Sequence, residues 1–349
     1  MIKKKIQIFY GGFKFIKGGV NTNSNILKNY LKKKYEVSLY TLDSLPIYVK
    51  FVPHLVEKVV NFFFLPLGFY YKDIFTRFLF KFFFNKKNID YRIFQDIYLS
   101  WNSSVPSVTI LHAIWSDNLQ KYKLDKKKIL ALKKKEIKKI NSIDHNLCTV
   151  SIPYEEYIRA KHFTNKVKKK IKVVDLGIKN FFIKKKKRID KSLIYVGALE
   201  KRKNVLFMLK VFKKLYKYDK KYSLTIIGTG PDESKLKEIT NNFALPIKFL
   251  GNKTSKEIFN ELSKHEIYIH TSVKESFSLS LLEAKIAGLS TIAYKHLQVP
   301  KEFIDYGVDG FKEYKWFKMI ISIKRNQRKF KYKKYLIKNT SNKLLELAK

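Results

Sequence analysis

The sequence predicts an α/β protein made of two doubly wound domains, and three observations carry that reading. Short apolar runs alternate with longer runs of helical spacing through the first half of the chain. A basic run, Lys184 to Arg188, interrupts the pattern near the middle. After it the alternation restarts more cleanly, as expected where a second parallel sheet with helices on both faces begins.

Taken in order, Lys5 to Tyr10 reads as an apolar first strand behind a basic lead-in. Gly11-Gly12 and Gly18-Gly19 make a flexible loop, Asn21 to Lys34 has helical spacing, and Glu36 to Thr41 returns as a strand. Further strands are expected at Tyr91 to Phe94, Ser107 to His112, Asn146 to Ser151 and Lys172 to Leu176. Between them, Lys126 to Ile140 spaces Ile129, Leu130, Leu132, Ile137 and Ile140 at helical intervals amid lysines.

In the second half, strands are expected at Ser192 to Val196, Ser223 to Ile227, Ile247 to Leu250, Ile267 to His270 and Ser290 to Ala293. Helices fall between them at Asn204 to Tyr216, Glu233 to Asn241, Ser255 to Lys264 and Leu279 to Ala287. The expected division is residues 1–183 as a first domain, 184–330 as a second, and 331–349 as a terminal helix returning to the first. In such sheets ligands bind beyond the carboxyl ends of the strands, which puts the expected site in the cleft between two facing domains.

The totals limit the function classes. A chain of 349 residues, 45% hydrophobic and 15% aromatic, can bury two cores and is not disordered. Its formal charge of +44 comes almost wholly from lysine, because only seven of 73 basic residues are arginine. Specific recognition of bases or phosphates favours the planar fork of arginine. Charge is therefore the only argument for a nucleic-acid-binding protein, no recognition module is visible, and nucleic acid is not the expected partner. Two explanations of the lysines stay open: a compositional bias, or attraction to an anionic membrane surface or acidic substrate.

The single cysteine, Cys148, lies in an apolar stretch and reads as a core thiol. The opening residues are too short an apolar run for a signal peptide, so a cytoplasmic location is expected. Phe62 to Phe84 is interrupted by Lys72, Asp73, Arg77 and Lys81 and reads as a buried or interfacial amphipathic helix rather than a span. That segment and the lysine-rich helix at Lys126 to Ile140 suggest peripheral attachment to the inner face of a cell membrane.

The stretch from His270 to Gly288 carries the most chemistry. It reads as a strand end, a loop containing Glu275, and a helix opening near Ser278 to Ser280. The N–H groups there have no partners within the helix, and the helix dipole favours an anion beside them. A phosphate could rest on those N–H groups while Glu283, one turn on, accepts hydrogen bonds from a ribose diol.

Glu275 and Glu283 in this setting resemble the E-x7-E signature of the family-4 retaining glycosyltransferases. That family has the GT-B fold, two Rossmann-like doubly wound domains facing across a cleft. Other stretches resemble it in the same order. Val196 to Asn204 resembles the strand-loop in which a lysine grips the donor diphosphate, with Lys203 in that place. Ile227-Gly228-Thr229-Gly230-Pro231 resembles the turn after the next strand, and Phe249-Leu250-Gly251 and Glu302 to Gly310 also fit. In the first half, Gly18-Gly19-Val20 resembles the glycine-rich loop beside the donor phosphates, and His112 ends a strand.

The resemblance implies a retaining glycosyltransferase that moves a sugar from a nucleotide-diphosphate donor, expected to be a UDP-sugar, to a glycan or lipid-linked acceptor in surface polysaccharide synthesis. It implies Glu275, His112 and Lys203 as catalytic residues. Donor binding would fall to Gly18, Gly19, Arg202, Lys203, Gly228, Ser278, Leu279 and Glu283. No cofactor beyond the nucleotide-sugar co-substrate is expected. Metal independence is expected too, since no Asp-x-Asp stands at a matching position and the seven histidines show no ligand spacing. This chain departs from the family at Ala198, where an arginine is common, and at Ser278, where glycine is common. Arg202 and Lys201 are the candidates for the second cation. A GT-B sugar-nucleotide epimerase is the alternative that shares the fold.

Overall fold

The computed structural model describes residues 3–14, 18–64, 67–86, 88–116, 126–161, 171–180, 187–323 and 330–349. The chain divides into two compact units, Met1–Lys179 with Lys334–Lys349, and Asn180–Lys333.

The first unit is laid out as β1 (Lys5–Phe9), α1 (Gly19–Leu31), β2 (Glu36–Tyr40), α2 (Val52–Phe64), α3 (Gly68–Phe84), β3 (Tyr91–Phe94) and β4 (Ser107–Leu111). α4 (Lys126–Asn141), β5 (Asn146–Thr149), α5 (Ile152–Lys161) and β6 (Ile171–Val173) complete it. Its six strands are all parallel, in the order β2-β1-β3-β4-β5-β6. Every residue of β3 and β4 is buried, as a parallel strand covered on both faces requires.

Aromatic packing centres this core. Phe9 and Phe94 stack at 5.3 Å, and Trp101 meets both edge-on at 4.9 and 4.7 Å. Arg92 is buried beside them and donates to Gln7 Oε1 (3.0 Å), Ser103 Oγ (2.8 Å) and the Lys86 carbonyl (2.9 Å), three bonds that offset part of the cost of burying its charge. Cys148 is wholly buried, and burial pushes its thiol pKa up, as a core position predicts.

The second unit runs β7 (Ser192–Val196), α6 (Val205–Tyr218), β8 (Ser223–Ile227), α7 (Glu233–Asn242), β9 (Ile247–Phe249), α8 (Ser255–Leu262) and β10 (Ile267–His270). α9 (Leu279–Ile286), β11 (Ser290–Tyr294), β12 (Tyr306–Val308) and α10 (Glu313–Ile321) follow. These strands are also all parallel, ordered β12-β11-β10-β7-β8-β9. The expected α/β class with two doubly wound sheets is what the molecule has.

Differences from the sequence reading have local causes. The Phe62 to Phe84 segment is not one helix: α2 ends at Phe64 and α3 opens at Gly68. Gly68 lies so close to α2 that an added Cβ would stand 2.2 Å from the Glu57 carbonyl oxygen, so the helix pair turns at a residue without a side chain. β12, α5 and α10 were not anticipated, being short or of mixed polarity. Most of the basic run at Lys184 to Arg188 lies outside the described residues. Its last member is no solvated linker residue, because Arg188 donates to the carbonyls of His265 (2.9 Å) and Ala287 (2.8 Å), just past the ends of α8 and α9.

α11 (Ile337–Ala348) closes the chain and belongs to the first unit. Thr340 Oγ1 donates to the Asp175 carbonyl (2.8 Å), Asn146 Nδ2 donates to that of Leu347 (2.6 Å), and Ile178 pairs with Leu336 as an isolated parallel bridge.

Candidate functional site

Sheet topology selects the place. In the second unit the chain builds outward from β7 to β8 and β9, then crosses back to lay β10 on the other side of β7. The order reverses between β7 and β10, and a crevice opens beyond the carboxyl ends of strands at such a point. The loops leaving those two strands carry Lys203 and Glu275.

The loop after β7 forms a 3-10 turn, Lys201–Lys203, which ends on Asn204 in the left-handed conformation (φ 53°). The loop after β10 holds this turn in place. Thr271 Oγ1 donates to the Lys203 carbonyl (3.0 Å), and the Val273 N–H donates to that of Arg202 (3.1 Å). The Thr271-Ser272 pair was passed over in the sequence, although two small hydroxyl residues directly after a strand are the available signal.

Three cationic or imidazole groups converge on Glu275. Lys203 Nζ donates to its Oε1, Arg202 Nη1 lies 3.4 Å from the same oxygen, and His270 Nε2 also lies at 3.4 Å. Burial alone would push the Glu275 carboxyl up; the Lys203 charge, His270 and Arg202 outweigh it and hold the group well below the usual carboxylate range. His270, wholly buried, is pushed down in pKa by that burial, against the opposing pull of Glu275. Arg202 also donates to the Lys274 carbonyl (3.1 Å) and to Glu200 (2.7 Å). Of the two candidates for the second cation, Arg202 is the one at the carboxylate, while Lys201 is exposed.

Ser278 is the N-cap of α9 and takes the left-handed conformation (φ 63°, ψ 86°), with its Oγ accepting from the Leu281 N–H at 3.4 Å. Leu279 is the first residue of the helix. Glu283 is half-buried one turn on, and its carboxylate makes no hydrogen bond or ion pair among the described residues; burial pushes it up to about 7.

Gly228 shapes the next loop. Its φ is +133°, and an added Cβ would stand 1.9 Å from the Gly197 carbonyl oxygen. The loops after β7, β8 and β9 are stitched edge to edge there: the Gly197 N–H donates to Ile227 (3.0 Å) and the Gly228 N–H to Gly251 (2.8 Å). Only glycine allows that approach.

The remaining expected residues are in the first unit. Gly18 caps α1 in extended backbone, Gly19 opens the helix, and a Cβ added to either would meet no atom of the described residues within 4 Å. Packing among the described residues therefore does not demand glycine at these two positions. His112 follows β4; its Nε2 pairs with Gln95 Oε1 at 2.8 Å, and burial lowers its pKa to about 4, so the ring is neutral.

The chain after His112 is fixed by Glu136 of α4, whose carboxylate accepts from the N–H groups of Trp115 (2.7 Å) and Ser116 (3.0 Å). Glu136 was missed. Its signal was present, as the one acid among eight lysines in α4.

The second unit has a match among known families. Residues 178–341 match the family model described as glycosyl transferases group 1. The chain is 32% identical over 137 residues to the UDP-N-acetylglucosamine–peptide N-acetylglucosaminyltransferase GtfA subunit of Limosilactobacillus reuteri, a stretch covering 38% of this chain and 26% of that protein. The Streptococcus pneumoniae protein of the same name is 29% identical over 120 residues, 34% of this chain and 24% of its own length. The matched segment thus spans about a quarter of these relatives.

Among solved structures, the sucrose-phosphate synthase of Thermosynechococcus elongatus superposes with a TM-score of 0.72 at 14% identity, covering 99% of this chain and 95% of that one. Anabaena HepE, solved with UDP and glucose, gives 0.64 at 14% identity over 99% and 98%. The chain has the GT-B fold that these structures share.

Proposed function

We propose that the chain is a retaining, metal-independent glycosyltransferase that moves a sugar from a UDP-sugar to a glycan or lipid-linked acceptor in surface polysaccharide synthesis. The observation that carries this reading is the convergence of Lys203 and Arg202 on Glu275 at the β7/β10 switch point, beside the opening of α9.

Breaking a glycosidic bond to a nucleoside diphosphate builds negative charge on the leaving group and oxocarbenium character on the sugar. An ammonium has three donors, and Glu275 takes one from Lys203; the others are available to diphosphate oxygens. Arg202 adds a second fixed positive charge, and the N–H groups opening α9 add a third element of the cradle. With these cations in place the reading needs no metal to neutralise the diphosphate. Glu275, held ionised, would hold donor sugar hydroxyls, and Glu283 would accept from the ribose diol. By the resemblance to the family-4 enzymes, Gly18 and Gly19 are assigned to the donor phosphates and His112 to the sugar. UDP is favoured as the nucleotide because the GtfA relatives are named for UDP-N-acetylglucosamine and HepE was solved with UDP. Retention rests on the resemblance to the family-4 enzymes.

The experiment is a turnover assay of purified full-length protein with a panel of UDP-, GDP- and ADP-sugars, followed by NMR of the product anomer. Lys203→Ala and Glu275→Gln should each lower kcat/KM at least about a hundredfold, the size of one lost transition-state contact. If no donor is hydrolysed or transferred, or both variants match the wild type, the proposal fails.

A further inference from the structure

Helices α2 and α3 pack on each other in the first unit, yet α2 carries its amphipathicity the wrong way round. Phe51, Leu55, Val59 and Phe62 recur at helical spacing and point to solvent, 58, 60, 48 and 81% exposed. His54 and Glu57 turn inward instead, while Lys58 stays exposed. His54 stacks on Phe13 (5.3 Å) and pairs with Glu57 (3.0 Å), which reaches Lys72 of α3 at 3.8 Å. α3 repeats the arrangement with Tyr71, Phe78 and Phe82 outward. An apolar stripe of this length facing water marks an interaction surface.

The charges around the stripe indicate what covers it. Between residues 47 and 86 the acids are Glu57 and Asp73, and neither is exposed, whereas Lys58, Lys81 and Lys86 are. α4 extends this basic rim. Lys135 donates to the Tyr71 hydroxyl (3.4 Å) and lies over the rings of Tyr70 and Tyr71 at 5.2 and 5.4 Å, fastening α4 to α3. Lys126, Lys127, Lys128, Lys134 and Lys138 of that helix are exposed. Outward phenylalanine and leucine bordered by ammonium groups, with no exposed acid on α2 or α3, complement an anionic bilayer: the rings enter the acyl boundary and the lysines meet the headgroups. No described helix is long and apolar enough to cross a membrane, so the face would lie on the bilayer.

We propose that the outward face of α2 and α3, with the α4 lysines, seats this protein in the headgroup boundary of an anionic lipid membrane. The proposal stands apart from the transferase reading, since it is scored without substrate.

The test is co-sedimentation of the full-length protein with vesicles of phosphatidylcholine alone or with one part in three of phosphatidylglycerol. Retention is expected on the anionic vesicles only, weakened by high salt, and about tenfold weaker for Leu55→Glu or Phe62→Glu. Both positions are exposed, so the melting transition should be unchanged. Independently of those variants, the indole of Phe62→Trp should be quenched by brominated acyl chains. Equal retention on neutral vesicles, wild-type binding by Phe62→Glu, or an unquenched indole would overturn the proposal. So would a dimer in sedimentation velocity that Phe62→Glu dissolves, since a second copy would then be what covers the face.

Discussion

Ser278 occupies a backbone conformation that costs an L-residue about 1 kcal/mol, at the cap of the helix nearest the candidate site. Glycine would remove that cost and give up only a few tenths of a kcal/mol of capping. Ser278→Gly should therefore stabilise the protein by about 0.5 kcal/mol and raise Tm by about 1–2 °C in a thermal melt. Glu283 makes the opposite kind of prediction. Burial raises its pKa to about 7, above its unfolded value, so the folded state binds the extra proton. Stability is lost as pH rises from the unfolded pKa through about 7, and is constant beyond. Glu283→Gln, which cannot ionise, should gain on the wild type over that window by up to ~3 kcal/mol, read from urea melts at pH 5 and pH 8. The two roles written into this region by resemblance, for Glu275 and Glu283, rest on opposite electrostatics. Glu275 is kept ionised by Lys203, His270 and Arg202, while Glu283, with no such partner, is the one that titrates near neutrality.

At the scale of elements, loops leaving adjacent strands of the second unit build the candidate site and hold one another in register. Gly228→Ala would drive a Cβ into the Gly197 carbonyl and impose a strained φ, separating the β7 and β8 loops. A loss of about 3 kcal/mol or more is expected in denaturant unfolding, together with weakened nucleotide binding in calorimetry. α4 tethers the chain after His112 through Glu136. Glu136→Ala would leave two N–H groups unpaired and cost about 2–3 kcal/mol, detectable as faster hydrogen exchange at Trp115 and Ser116. The strands and helices from β7 to β11 were legible because each keeps a single apolar period between polar turns. The break between α2 and α3 was missed although Pro66 and Gly68 are turn signals in the sequence, because the apolar residues run on past them.

Across the whole molecule, a net charge of +44 repels itself. Described ion pairs such as Lys191–Asp219 and Lys285–Asp305 engage only a few of the lysines. Added salt shortens the Debye length from about 10 Å at 0.1 M to about 3 Å at 1 M and should relieve that repulsion. Tm is expected to rise between low salt and about 0.5 M sodium chloride, and a flat or falling Tm would show that local pairs dominate. The wrong-way amphipathicity of α2 also belongs to this scale, because it leaves apolar surface where the lysines gather.

The sequence by itself determined the α/β class, the two doubly wound sheets and most strand positions, because hydrophobic period and turn residues are local properties. It also marked Lys203 and Glu275 as candidates, through the resemblance of their stretches to the family-4 glycosyltransferases. Tertiary structure alone decided that Arg202 rather than Lys201 joins Glu275 and that His270 faces the same oxygen. It also decided that Glu136 anchors a distant loop and that the apolar stripe of α2 faces outward. Each of these depends on which residues far apart in the chain come within a few ångströms, and on which side of a helix the neighbours happen to lie. Neither is encoded in any local period.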